Sequence, residues 1–484
     1  MRSDMIPLVK HGLRFFLLCA AAAISVPAQT FTTLFSFDGA DGYGPSSRLI
    51  QATNGDFYGT TPDGGGAGSR GTVFKITASG RLTTLYSFCA QDGCTNGYVP
   101  MAGLVQATNG DFYGTTAYGG AYGYGTVFKI TLSGTLTTLY SFCTQSVCTD
   151  GRYPYAGLIQ ATNGNLYGTT DDGGAYGYGT VFKITPSGTL TTLYSFCAQS
   201  GCPDGAYPYG GGLIQAANGD LYGTTSFGGA YGRGTVFEIT PSGALTTLYS
   251  FCAQTGCPDG AYPEAGLIQA ANGNFYGTTN VGGAYDLGTV FNITPSGMMT
   301  TLYSFCAQSR CTDGSDLVAG LIQATNGDFY GTTAGGGAYK SGTVFEITPS
   351  GTLTTVYSFC AQSGCADGEY PSAGLIQATN GEFYGTTAVG GAYGRGTVFS
   401  LSAGLGPFVT TLPTSGKVGS ALKILGTDLK GATGVTFNGV AATFKVVSAT
   451  EITTTVPTGA TTGTVQVLTP TVTLSSNVPF RVLP

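Results

Sequence analysis

The sequence predicts an all-β chain: a seven-bladed β-propeller of four-stranded blades, followed by a small β-sandwich. Three observations carry this. The phrase Asn-Gly-x-(Phe/Leu)-Tyr-Gly-Thr-Thr recurs seven times, starting at Asn54, Asn109, Asn163, Asn218, Asn272, Asn326 and Asn380, with a spacing of 54 or 55 residues. Each copy holds four short strand-like runs, the content of a propeller blade. The strand types are also split between the ends: a lone fourth-type run, Phe31–Phe37, opens the repeats, and Gly374 to Leu401 supplies only first, second and third types. An open solenoid or β-helix has no use for that split. A ring uses it, because the first strand completes the last blade and leaves no exposed sheet edge.

The elements follow in order. Residues 1–28 read as a signal peptide: Arg2, Lys10 and Arg14 precede an apolar run from Phe15 to Val26, and small residues precede a cut after Ala28. That run is too short to span a bilayer, and Leu18 argues against lipid attachment at Cys19. Export to the medium or the outer cell surface is the expectation, with no transmembrane segment in the mature chain.

Residues 29–403 are assigned to the propeller. In the third unit the runs are Gly157–Ala161, Leu166–Thr170, Thr180–Thr185 and Leu190–Phe196. Asn163-Gly164 turns the first into the second, where both residues tolerate positive φ, and Pro186-Ser187-Gly188 turns the third into the fourth. Gly59 and its equivalents are expected to allow close approach near the axis. Twelve cysteines fall into six Cys-x4-Cys pairs: Cys89 with Cys94, Cys143 with Cys148, Cys197 with Cys202, Cys252 with Cys257, Cys306 with Cys311 and Cys360 with Cys365. In an exported chain they read as disulfides. Zinc is the weaker reading, since each pair offers two ligands and the chain after residue 28 has no His.

The repeat resembles the tandem Gly- and Tyr-rich "GloVer" repeat of exported bacterial proteins (choice-of-anchor type). The resemblance lies in Gly-Leu-Ile-Gln-Ala-Thr-Asn-Gly-(Asp/Asn)-(Phe/Leu)-Tyr-Gly-Thr-Thr followed by Gly-Gly-Ala-Tyr-Gly-x-Gly-Thr-Val-Phe. It implies export and attaches no enzymatic activity to the repeat. Residues 407–484 lose Tyr and Cys and carry six or seven short Val- and Thr-rich runs, which suggest a small sandwich. The segment resembles the IPT/TIG Ig-like domain through Ile424-Leu425-Gly426, Val435-Thr436-Phe437-Asn438-Gly439, Val456-Pro457 and Gly463-Thr464-Val465. Thr469-Pro470-Thr471-Val472 departs from the family's Gly-containing turn.

Composition narrows the function. Of 484 residues, 80 are Gly and 30 Tyr, only 9% are charged, and the formal net charge is −6. An acidic chain without a basic cluster is a poor partner for nucleic acid. With no His after residue 28, the usual nucleophile–base triads are excluded. No catalytic residue, cofactor or metal ligand is assigned. Asp150, Asp204, Asp259, Asp313 and Asp367 all precede Gly after a second cysteine and read as repeated Asx-type turns; calcium is the weaker reading.

A binding face is the better-supported expectation. In an antiparallel blade the second-to-third and fourth-to-first loops emerge on one side, so the Tyr-rich and cysteine loops share a face. The recurrent Ala-Tyr position (Tyr122, Tyr176, Tyr231, Tyr285, Tyr339, Tyr393) is expected to pack against the next blade. Non-recurrent Tyr118, Tyr124 and Tyr178 are candidate contacts. So are Tyr155, Tyr209 and Glu264, which occupy a position that varies between copies before the first strand. The favoured reading is a non-catalytic surface or secreted module that binds an extracellular glycan, another polymer or a surface protein. An architectural or adhesive protein is the alternative. A carbohydrate-active hydrolase or lyase comes third, and would need Glu264 and Glu369 to converge in one cleft.

Overall fold

The computed structural model describes residues 29–484 apart from 67, 91 and 92; the signal-peptide reading lies outside the described residues. Seven four-stranded antiparallel sheets precede a β-rich C-terminal region. In the third blade the order is Ile159–Gln160, Leu166–Thr170, Thr180–Ile184 and Leu190–Ser195, as successive neighbours. The innermost strand has two paired residues, shorter than the run from Gly157 suggests. In the seventh blade Thr30–Ser36 pairs with Thr397–Ser402, from Thr30 opposite Ser402 to Ser36 opposite Thr397.

The Phe/Leu-Tyr-Gly-Thr-Thr strand is buried at all five positions in every blade because sheets cover both of its faces. Where the next blade begins this strand with Phe, the Tyr lies on that ring, with centroids 4.3 Å apart for Tyr58–Phe112 and 4.1 Å for Tyr276–Phe329; Tyr113 and Tyr167 are followed instead by Leu166 and Leu221. Tyr384 meets Phe57 at 4.1 Å, so the last and first blades pack as the others do.

Gly168 has a different role from close approach at the axis. A Cβ there would lie 2.7 Å from both Leu158 Cδ2 and Phe182 Cζ, and the other six blades show the same pair of neighbours. The missing side chain is the space that the third-strand Phe fills. Gly168→Ala should therefore overpack this seam and cost about 1–3 kcal/mol, read as a lower urea midpoint with an unchanged m-value.

A ring of hydrogen bonds joins the blades. The first-strand Gln of each blade accepts a backbone N–H from the preceding blade, from Thr53 N to Gln106 Oε1 at 3.0 Å through Ala217 N to Gln269 Oε1 at 2.9 Å. Thr379 N to Gln51 Oε1, at 2.9 Å, completes the circle. Each Gln amide nitrogen also donates to the carbonyl of the Gly in its own Asn-Gly turn. This Gln side chain is thus a strut between blades.

All six cysteine pairs are disulfides. Cys89 is bonded to Cys94, Cys143 to Cys148 and Cys197 to Cys202. Cys252 is bonded to Cys257, Cys306 to Cys311 and Cys360 to Cys365. The second cysteine of each pair takes a positive φ, from 44° at Cys94 to 55° at Cys311, with Cys148, Cys202, Cys257 and Cys365 between them. Its carbonyl then accepts the N–H of the Gly three residues on, as from Gly97 to Cys94 and from Gly368 to Cys365, which closes the loop.

The repeated Asp is a clasp within that loop and not an Asx turn. Asp150 Oδ2 accepts Tyr140 Oη at 2.7 Å and Thr144 N at 3.0 Å, six residues back. Asp204, Asp259, Asp313 and Asp367 make the same pair of bonds, tying each loop to the Tyr of the preceding strand.

In the C-terminal region one sheet orders Thr410–Leu412, Ala421–Leu425, Glu451–Thr455 and Phe444–Val446. The second orders Val440–Ala442, Gly434–Phe437, Val465–Leu468 and Thr473–Ser475. Ile424, Val435, Phe437, Ile452 and Val467 fill the space between them. This sandwich sits on the propeller face that carries the Asn-Gly turns. Thr427 Oγ1 lies 3.0 Å from Thr379 Oγ1, Thr450 Oγ1 donates to Thr53 O at 3.2 Å, and Arg481 reaches the carbonyls of Ala216 and Ala217. The Tyr and cysteine loops occupy the opposite face and are left uncovered. No helix among the described residues is long and apolar enough to cross a membrane.

Candidate functional site

The uncovered face is built by a strained residue repeated around the ring. Val99, Tyr153, Tyr207, Tyr262, Asp316 and Tyr370 all have φ between 54° and 59°, a region that non-glycine residues rarely adopt. Cross-blade hydrogen bonds help hold this conformation: Tyr153 N donates to Tyr124 O at 3.0 Å, and Tyr207 N to Tyr178 O at 2.9 Å. Loops of neighbouring blades are thereby locked together, and their side chains converge.

Between the second, third and fourth blades this produces one connected aromatic cluster. Tyr98 stacks on Tyr118 at 5.5 Å, and Tyr118 meets Tyr153 at 5.3 Å and Tyr155 at 6.2 Å. The Tyr118 and Tyr155 hydroxyls are hydrogen-bonded at 2.8 Å. Tyr155 continues to Tyr209 at 5.0 Å, while Tyr124 contacts Tyr153 at 5.8 Å. Arg152 lies over the Tyr124 and Tyr153 rings and is held by Asp172 Oδ2, 3.0 Å from Nη2 and 3.2 Å from Nε. Tyr178 belongs to a neighbouring chain of rings, through Tyr207 to Phe227 and Tyr262.

Carboxylates border the rings. The position after Gly-Thr-Thr is Pro62, Ala117, Asp171, Ser226, Asn280, Ala334 and Ala388 in the seven copies, so Asp171 is its single acid. Asp171 Oδ1 is buried without a hydrogen-bond partner, and burial, followed by the nearby charge of Asp172, raises this carboxyl to about 7. Burial also raises Tyr155, reinforced by the Tyr118 hydroxyl, and raises Tyr209, reinforced by Asp171 and Glu264. Glu264 is itself raised by burial, offset in part by Asn280.

The Asp171 shift fixes a pH dependence. From an ordinary value of 3.8, burial pushes this carboxyl up to about 7 in the fold. Between those values the folded chain retains a proton that the unfolded chain has released. Stability therefore falls as pH rises through the window, by at most about 1.4 kcal/mol per pH unit and less where water screens the group. Asp171→Asn should remove this slope. Urea midpoints at about pH 5 and about pH 8 check it: the variant should gain on the parent at the higher pH.

Of the residues singled out in the sequence, Tyr118, Tyr124, Tyr155 and Tyr209 share one cluster, Tyr178 flanks it, and Glu264 adjoins Tyr209. Glu369 lies two blades beyond Glu264, bridged through its backbone to Val389, and no contact joins the two carboxylates among the described residues. Tyr98, Tyr153, Arg152 and Asp171 escaped the sequence reading, although the single acid among seven copies was a signal for the last. The recurrent Ala-Tyr side chains do not pack against the next blade. They are 52–64% exposed, because the Gly-rich loop carries them outward.

The family model of the Gloeobacter/Verrucomicrobia repeat matches residues 22–161, 145–322 and 308–432, most of the chain. The chain belongs to this repeat family. An IPT/TIG domain model matches residues 407–482 of this Gloeobacter/Verrucomicrobia repeat protein. No curated protein matches it in sequence. Among solved structures it is similar to the extracellular domain of a hybrid two-component system from B. thetaiotaomicron, with 11% identity and a TM-score of 0.51 over 82% of this chain and 46% of the other. The chain thus spans about half the length of that structure. A fungal alcohol oxidase of the AA5 family, in complex with copper, is similar at 13% identity and TM-score 0.51, over 94% and 99% of the two chains. At such identities the likeness concerns the fold alone.

Proposed function

We propose that this chain is an exported recognition module, secreted or held at the outer cell surface, whose loop-rich face binds glycans. The observation that carries the reading is the cluster of Tyr118, Tyr155 and Tyr209 beside an unpartnered buried carboxyl oxygen of Asp171. Tyr rings offer flat apolar faces for the C–H faces of sugars, and their hydroxyls and the bordering carboxyls pair with sugar hydroxyls. A buried polar atom without a partner calls for an explanation, and a ligand hydroxyl supplies one. Six disulfides fit an oxidising location, as does the similarity to the extracellular domain of a hybrid two-component system. The test is a glycan array probed with the exported chain and with Tyr118→Ala, Tyr124→Ala and Tyr178→Ala. Binding that weakens in Tyr118→Ala, and less so in the other two, supports the reading; binding indifferent to all three overturns it.

The six exposed Ala-Tyr side chains favour a second reading, an adhesive surface protein. Equivalent aromatic contacts spaced around one face suit a repetitive partner through avidity. Self-association or protein capture that is lost on replacing these six, with the central cluster intact, would favour adhesion over glycan recognition.

A further inference from the structure

The channel along the propeller axis holds a feature that the aromatic face does not use. Its wall at one level is a ring of Gly103, Gly157, Gly212, Gly266, Gly320 and Gly374, and the seventh equivalent position is Arg48. The ring helps line a cavity of about 580 Å³, which Phe408, Thr410 and Asn477 of the C-terminal sandwich also line. Arg48 is the one charged residue among its lining residues. The side chain leans toward the seventh blade, with Cδ 3.9 Å from where a Cβ would stand on Gly374. Arg48 is exposed, its surface lies among the lumen-lining residues, and the protein around it disfavours its charge.

No hydrogen bond or ion pair engages the Arg48 guanidinium among the described residues. A guanidinium stays protonated in proteins and presents a fork of donors matched to carboxylate, sulfate and phosphate oxygens. A charge left uncompensated among low-dielectric walls attracts a counter-ion more strongly than one in open water. The chain is acidic overall, so a lone axial cation runs against its general charge. Glycine at the other six positions leaves the lumen wide enough for a ligand beside the Arg.

We infer that the axial lumen is an oxyanion site, in which Arg48 binds one carboxylate, sulfate or phosphate group, free or carried on a sugar acid. The glycan reading of the loop face is not needed for it. Thermal unfolding of the exported chain in low-salt neutral buffer, titrated separately with millimolar sulfate, acetate and glucuronate, tests the site. The parent should show a saturable rise in Tm with at least one of the three. Arg48→Gly, which restores the residue of the other blades, and Arg48→Gln, which keeps side-chain length without charge, should each weaken that response by about tenfold or more. Saturation with sulfate or acetate assigns a free small anion; saturation with glucuronate alone assigns a sugar acid. Sulfate also stabilises proteins non-specifically by exclusion from their surface, and that contribution is shared by parent and variants. An equal rise in parent and variants, or no saturable rise with any of the three anions, overturns the site.

Discussion

A chain lacking Thr30–Ser36 should lose cooperative folding. That strand pairs six residues with Thr397–Ser402 and puts Phe31 on Tyr357, with centroids 4.0 Å apart, and on Phe399 at 5.2 Å. Without it the third strand of the last blade becomes a bare edge beside uncovered aromatic rings, a surface prone to association. The loss should exceed about 5 kcal/mol, comparable to the net stability of many domains. Urea unfolding should show a broadened transition or none, and size exclusion should show aggregates. Phe37→Ala, just beyond the strand, is the milder test. Phe37 is fully buried against Phe74 of the first blade, and its truncation should cost about 3–5 kcal/mol. A peptide spanning residues 29–37, added to the truncated chain, should restore a cooperative transition by strand addition.

Replacing Tyr155 and Tyr209 together by Ala should produce the largest loss of binding. Their rings are 5.0 Å apart, and Tyr155 also holds the Tyr118 hydroxyl at 2.8 Å. Each aromatic contact contributes about 0.5–1.5 kcal/mol beyond the area it buries. Removing both platforms, and with them the orientation of Tyr118, should weaken glycan affinity by about 100-fold, near 2.7 kcal/mol. Titration calorimetry with a glycan selected on the array measures this. Near-parental unfolding midpoints would show that the loss is local. Tyr155→Phe separates stacking from hydrogen bonding: it keeps the ring and should recover much of the affinity.

The strands, the blade number and the pairing of cysteines were legible because each depends on local pattern repeated along the chain. What depends on contact between copies was not. Gln51 and its equivalents each reach across a seam to a backbone N–H of the preceding blade, a contact that no local pattern announces. Asp150 looks like a turn former and instead bonds a Tyr ten residues back. The Tyr122 series looks like packing because it recurs, but its loop carries it into solvent. The candidate site was half legible. Variation between copies pointed to Tyr155, Tyr209 and Glu264, while Arg152 and Asp171 gain their roles from loops of adjacent blades brought together by the positive-φ residues.

Amide hydrogen exchange of the chain from residue 29 onward, with and without a bound glycan, tests the central claim most directly. The loop face as the glycan site predicts new protection in residues 118–124, 152–155, 171–178 and 207–209, with the Asn-Gly turns and the C-terminal sandwich unchanged. Protection confined to the sandwich or to the outer strands, with these loops unaffected, would contradict it.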